Sequence, residues 1–129
     1  MNKIIVEISI GELLDKISIL EIKKDKIKDP EKLKFISKEH SILKNQLENN
    51  IKTDDKLNVL FQSLKEINDK LWVIEDNKRQ CEKDKDFGEK FIKLSRDVHF
   101  LNDDRARIKL EINNHTGSQI KEIKEYTNY

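Results

Sequence analysis

Between Ile10 and Asn114, apolar residues return at steps of three and four. That spacing lines one face of an α-helix and differs from the alternate-residue pattern of a strand. Leu13, Leu14, Ile17, Leu20 and Ile27 make the first stripe, and Leu33, Ile36, Leu43, Leu47 and Ile51 the second. The third runs Leu57, Leu60, Phe61, Leu64, Ile67, Leu71, Trp72 and Ile74; the fourth runs Phe91, Leu94, Val98, Leu101, Ile108 and Ile112. One proline and three glycines in 129 residues leave few tight turns, and the stripes break where helix signals cluster. Ser9 with Glu12 fits a capping box, and Asp29-Pro30 ends the first helix near Lys28 and starts the second. Thr53 or Asp54 caps the third, Asp86 with Glu89 fits a cap for the fourth, and Gly117 is its natural stop. Short breaks between long amphipathic helices predict a single all-α domain over residues 1–129, an antiparallel four-helix bundle.

Two end segments lie outside the stripes. "KIIVEIS" (3–9) is β-branched and strand-like, and an unpaired strand leaves backbone groups without partners. A small two-stranded pairing of residues 3–8 with part of 119–126 is therefore expected, since both ends of an up-down-up-down bundle share one end.

Charge excludes more than it suggests. Charged residues make up 40% of the chain, but 26 basic and 25 acidic side chains leave a net charge of +1. Without a clustered excess there is no footprint for nucleic acid or anionic lipid. Cys81 is the single cysteine, which excludes an intramolecular disulfide and fits a reducing, cytoplasmic setting. "MNKIIVEISIGELLDK" lacks the pattern of a signal peptide, and no apolar run approaches a membrane span. A soluble protein is expected.

Several polar residues fall inside the stripes when each helix is projected at about 100° per residue. They are Glu21 and Lys24, His40, Asn68 and Glu75, and Arg105 and Lys109. Rise per residue puts Glu21, His40, Asn68 and Arg105 at one height, so a single interior layer is expected, with Glu21 paired to Arg105. Buried charges need such partners. The layer can be architectural; alternatively it lines a pocket where Arg105 and Lys109 meet an anionic ligand, a nucleotide or nucleotide sugar. Lys24 and Lys109 can also reach solvent along their stems.

Other motifs carry little. "DFG" (86–88) has the letters of a kinase magnesium motif without the accompanying loops, and reads as a capped turn. A calcium loop counted from Asp84 puts Ser95 where its bidentate glutamate belongs. His40, His99 and His115 lack metal-ligand spacing, so neither metal nor cofactor is expected. Glu12 with Asp15, and Glu75 with Asp76, have the look of magnesium-holding pairs in all-α pyrophosphohydrolases. Together with Arg79 they are secondary candidates, more simply read as solvated faces.

"ISIGELLDKISILEIKKDKI", "LWVIEDNKRQCEK", "FIKLSRDVHFLNDDRARIKLEIN" and "GSQIKEIKEY" resemble a family of short bacterial and phage proteins of unknown function. The likeness spans both ends and the C-terminal half, and is weak over residues 31–60. Its family-like positions include Glu12, Asp15, Lys16, Glu21, Lys23, Trp72, Glu75, Asp76, Arg79, Arg96, Asn102, Arg105 and Lys109; His99-Phe100 departs from the usual pattern. The resemblance implies a helical module that accompanies glycosyltransferases and tetratricopeptide repeats of surface-polysaccharide loci, with no activity attached. The expected function is thus a non-enzymatic interaction or assembly module, and the alternative is a small-molecule enzyme or sensor. The last two helices, about 28 residues each against about 20 for the first two, should project as a hairpin. Trp72, Ile74, Phe87 and Phe91, with Cys81 and Leu94, lie on that projection and point to a homodimer.

Overall fold

A computed structural model describes residues 2–129 and contains four α-helices, with no strand among those residues: α1 (Ile10–Lys26), α2 (Pro30–Asn50), α3 (Asp55–Asp84) and α4 (Glu89–Thr116). The starts follow their caps. Ser9 Oγ accepts the Glu12 N–H, Asp29 accepts the Glu31 N–H ahead of Pro30, and Asp54 accepts the Leu57 N–H. The fourth start differs from expectation. Gly88 is the N-cap, and Asp86 Oδ1 accepts the Gly88 N–H at 3.1 Å, so Asp86 closes the turn and does not cap α4. Lys85 adopts the left-handed conformation at φ 57° to end α3, and Gly117 does the same at φ 70° to end α4.

Helix α1 is central. It packs against each of the other three, and α3 packs against α4, whereas α2 makes close backbone approach only to α1. Leu14 and Ile17 of α1 meet Leu47 of α2, Leu57, Leu60 and Leu64 of α3, and Ile108 and Ile112 of α4 in one buried cluster. The seam between α1 and α4 is antiparallel, because Gly11 contacts Asn113, Glu12 contacts Lys109 and Asp15 contacts Arg105. At 30 and 28 residues, α3 and α4 outlast α1 and α2 at 17 and 21.

The first turn of α1 is locked from outside. A helix start leaves four N–H groups without internal acceptors. Here three of them find acceptors: Ile10 N–H donates to Ser118 Oγ at 3.2 Å, Gly11 N–H to Asn113 Oδ1 at 2.7 Å and Glu12 N–H to Ser9 Oγ at 3.1 Å, and the helical ladder begins with Leu13 N–H to the Ser9 carbonyl. The helices meet so closely there that a Cβ on Gly11 would stand 2.6 Å from the Lys109 carbonyl oxygen. Asn113 is 1% exposed.

The expected strand pair does not form. Residues 3–8 form no regular element, and Ile4 and Ile5 are 90% and 85% exposed. The chain ends do start together, at the Ile10–Ser118 contact. The tail then turns back along α4 because side chains of that helix capture it. Asn114 Oδ1 accepts from Lys121, Lys109 donates to Glu122, and the Tyr129 hydroxyl donates to Asp103 beside His99 and Phe100. These bonds hold the tail against α4.

Gly11→Ala should cost about 1–3 kcal/mol, the usual range for overpacking, because the obstruction is backbone. Gly88→Ala, whose Cβ would meet only the Asp86 carboxylate oxygen at 3.4 Å, should stay within about 0.5 kcal/mol. Urea unfolding of the two variants checks the contrast.

Candidate functional site

Asp15 sits one turn into α1, 1% exposed, on the side facing α3 and α4. An ionised carboxylate in that position needs donors. Arg105 supplies two, Nε to Oδ1 at 2.9 Å and Nη2 to Oδ2 at 2.5 Å, in a fork that matches the carboxylate. Asn68 Nδ2 donates to Oδ1 at 2.9 Å and contacts Ser18 Oγ at 2.8 Å, while the Ser18 hydroxyl donates to the Asp15 carbonyl. One buried acid thus ties three helices. Burial pushes the Asp15 carboxyl up, but hydrogen bonds from Arg105 and Asn68 and the charges of Arg105 and Lys109 outweigh it and hold the pKa below 3.8. The hydrogen bond to Asp15 raises Arg105 in turn.

One turn toward the α1 start, Lys109 Nζ lies 2.6 Å from Glu12 and 2.8 Å from Glu122 of the tail. Burial pulls the ammonium down, and the two carboxylate hydrogen bonds more than compensate, so its pKa rises. The Lys109 hydrogen bond lowers Glu122. On another side of α1, Glu21 pairs with His40 of α2 at 3.3 Å and Lys65 of α3 at 3.2 Å.

The expected layer therefore resolves into separate clusters. Asn68 and Arg105 come together, and His40 joins Glu21, but Arg105 pairs with Asp15 and not with Glu21. Six residues of helix turn Asp15 and Glu21 about 120° apart around α1, so they face different neighbours. Lys109 belongs to a third cluster with Glu12. Glu12 and Asp15, which look like a solvated acidic pair, are instead the partners of buried Lys109 and half-buried Arg105. Lys24 is exposed. Asn113, Ser118, Lys65 and Glu122 escape the stripe analysis; Asn113, four residues after Lys109, and Lys65, four after Phe61 and three before Asn68, carry a periodic signal.

Beside the Asp15 cluster lies a cavity of about 360 Å³. Ile19 and Ile22 of α1 and Leu71 and Trp72 of α3 form its apolar wall, with Asn68 at the base. Arg105, Arg79, Glu75 and Asp76 supply its charged groups. Trp72 is accordingly half-buried in a concavity that α1 helps to build, not left on the hairpin projection. Cys81 is likewise buried, at 2% exposure. Glu75, Asp76 and Arg79 enter none of the ion pairs among the described residues. No group of three or more His, Cys, Asp or Glu among the described residues could hold a metal ion.

Replacing Asp15 by Asn should cost about 3 kcal/mol at neutral pH, the lower end for a broken buried pair, because the Arg105 side chain keeps 29% of its surface in solvent. A depressed carboxyl stabilises the fold fully above its ordinary pKa and loses that contribution as pH falls through the depressed value. The stability gap between wild type and Asp15→Asn should therefore be constant above pH 3.8 or so and narrow below it. Denaturant titrations across that range measure it.

No curated protein and no solved structure matches the chain. A family model does: that of a family of unknown function, DUF6165, matches residues 4–129, and the chain belongs to that family.

Proposed function

We propose that this protein is a non-enzymatic interaction and assembly module, a four-helix bundle whose projecting α3–α4 hairpin pairs with a second copy. The observation that carries this reading is the division between interior and surface. Every buried side-chain nitrogen and oxygen among the described residues has a hydrogen-bond partner, so the Asp15 and Lys109 clusters are occupied in holding helices together. Large apolar groups instead stand outward on the hairpin: Val73, Phe87 and Ile92 are 44%, 50% and 55% exposed. Phe91 meets Phe87 edge-on at 5.6 Å and leaves much of the Phe87 ring in water, and Ile74 lies half-buried beside Val73.

Helices α1 and α2 are too short to cover this surface. At about 1.5 Å per residue the hairpin outreaches α2 by roughly 10 Å. Exposed apolar surface at a bundle end favours a partner, and a two-fold pair needs only one self-complementary patch. No described helix is long and apolar enough to cross a membrane. On the family resemblance, the assembly served is bacterial or phage surface-glycan machinery working at the cytoplasmic side.

Light scattering at micromolar concentration should give twice the mass of the chain, falling to one chain in Phe87→Asp and Ile92→Asp with helix content unchanged. A wild-type monomer, or a dimer indifferent to both substitutions, would overturn the hairpin interface.

A further inference from the structure

The Trp72 cavity has a composition that internal packing does not explain. Arg105 is fixed by Asp15 through Nε and Nη2, while its Nη1 has only a long 3.4 Å contact with Asn102. A guanidinium held on one edge and open on the other is a preorganised anion anchor, because the cost of ordering it is met in the fold. Arg79, one turn beyond Glu75 on α3, adds a second cation on the same cavity. Trp72 offers an amphipathic ring against the aliphatic wall of Ile19 and Ile22. Glu75 and Asp76 accept hydrogen bonds but donate none when ionised.

From this arrangement we infer that the cavity between α1, α3 and α4 binds a small phosphate ester whose ring carries hydroxyl groups. The phosphate meets Arg105 and Arg79, the ring lies on Trp72, and the hydroxyls donate to Glu75 and Asp76. Phosphate oxygens match the arginine forks, and a cavity of about 360 Å³ holds one ring and one phosphate but not a dinucleotide. With the Arg105 charge already matched by Asp15, Arg79, Glu75 and Asp76 leave the site without a positive excess, which disfavours a bare polyanion and favours a ligand with both an anionic end and hydrogen-bond donors. The inference develops the small-molecule reading of the sequence and is separable from the hairpin interface, which uses other residues.

The chain has one tryptophan, so fluorescence excited beyond tyrosine absorption reports on this cavity alone. Glucose 1-phosphate and UMP, titrated separately into the full chain, distinguish a glycosyl from a nucleoside ester, with inorganic phosphate and glucose as controls. A saturable Trp72 response to at least one ester is expected, weakened about tenfold or more in Arg79→Gln, the loss expected for one charge-assisted contact. Arg79 is exposed and outside the internal ion pairs, so this variant keeps its fold, which circular dichroism verifies. Glu75→Gln should weaken the ester while leaving inorganic phosphate unaffected. No saturable response at millimolar ester would overturn the site. So would equal binding of inorganic phosphate, or ester binding indifferent to Arg79→Gln.

Discussion

The fold depends on neutralising one buried carboxylate. Asp15 has lost nearly all contact with water, and its cost can be met only if α3 brings Asn68 and α4 brings Arg105 to the same point. Apolar stripes alone would let these helices slide past one another, since leucine and isoleucine contacts are interchangeable at one-turn offsets. A forked ion pair is not interchangeable. It permits one register and, through the 2.7 Å bond between Gly11 and Asn113 one turn away, one separation. The buried pair thus supplies specificity, for which apolar packing supplies the driving force.

Much of this architecture was legible because it is local. Ser9, Asp29 and Asp54 cap helices through bonds reaching two or three residues along the chain, a range over which sequence order is spatial order. The stripes likewise locate the core, since Ile17, Leu64 and Ile112 all lie on the faces their spacing defines. Arg105 announced itself as a polar interruption in such a face. Its partner did not. Choosing Glu21 required α1 to be rotated correctly about its axis, and a height comparison fixes distance along a helix but not rotation. Asp15 lies between Leu14 and Ile17, adjacent to the stripe and not within it, so a projection that ranks apolar residues passes over it.

The ends were less legible for a related reason. Residues 3–8 have strand composition, but composition cannot reveal that the tail is already held by Lys109, Asn114 and Asp103. Those bonds run between side chains up to 26 residues apart. The cavity was hidden differently. Trp72 looks like a hairpin residue when counted along α3, and only the packing of α1 against α3 turns that position into a wall shared with Ile19 and Ile22. Arg105 belongs to both arrangements, so the same charge that fixes the register also borders the opening.

The closure of the α1 start by Asn113 and Ser118 has a consequence for synthesis. Of the four helices, the one translated first contains the groups that wait longest for partners, because the Ile10–Ser118 bond spans 108 positions. Asp15 waits for Arg105, Gly11 for Asn113 in the last turn of α4, and Ile10 for Ser118 beyond it. Apolar contacts of α1 with α2 and α3 can form earlier, but the polar closure of the α1 start is deferred until α4 and Ser118 are in place. That end of the bundle is thus completed last, at a point set by where the chain keeps its acceptors.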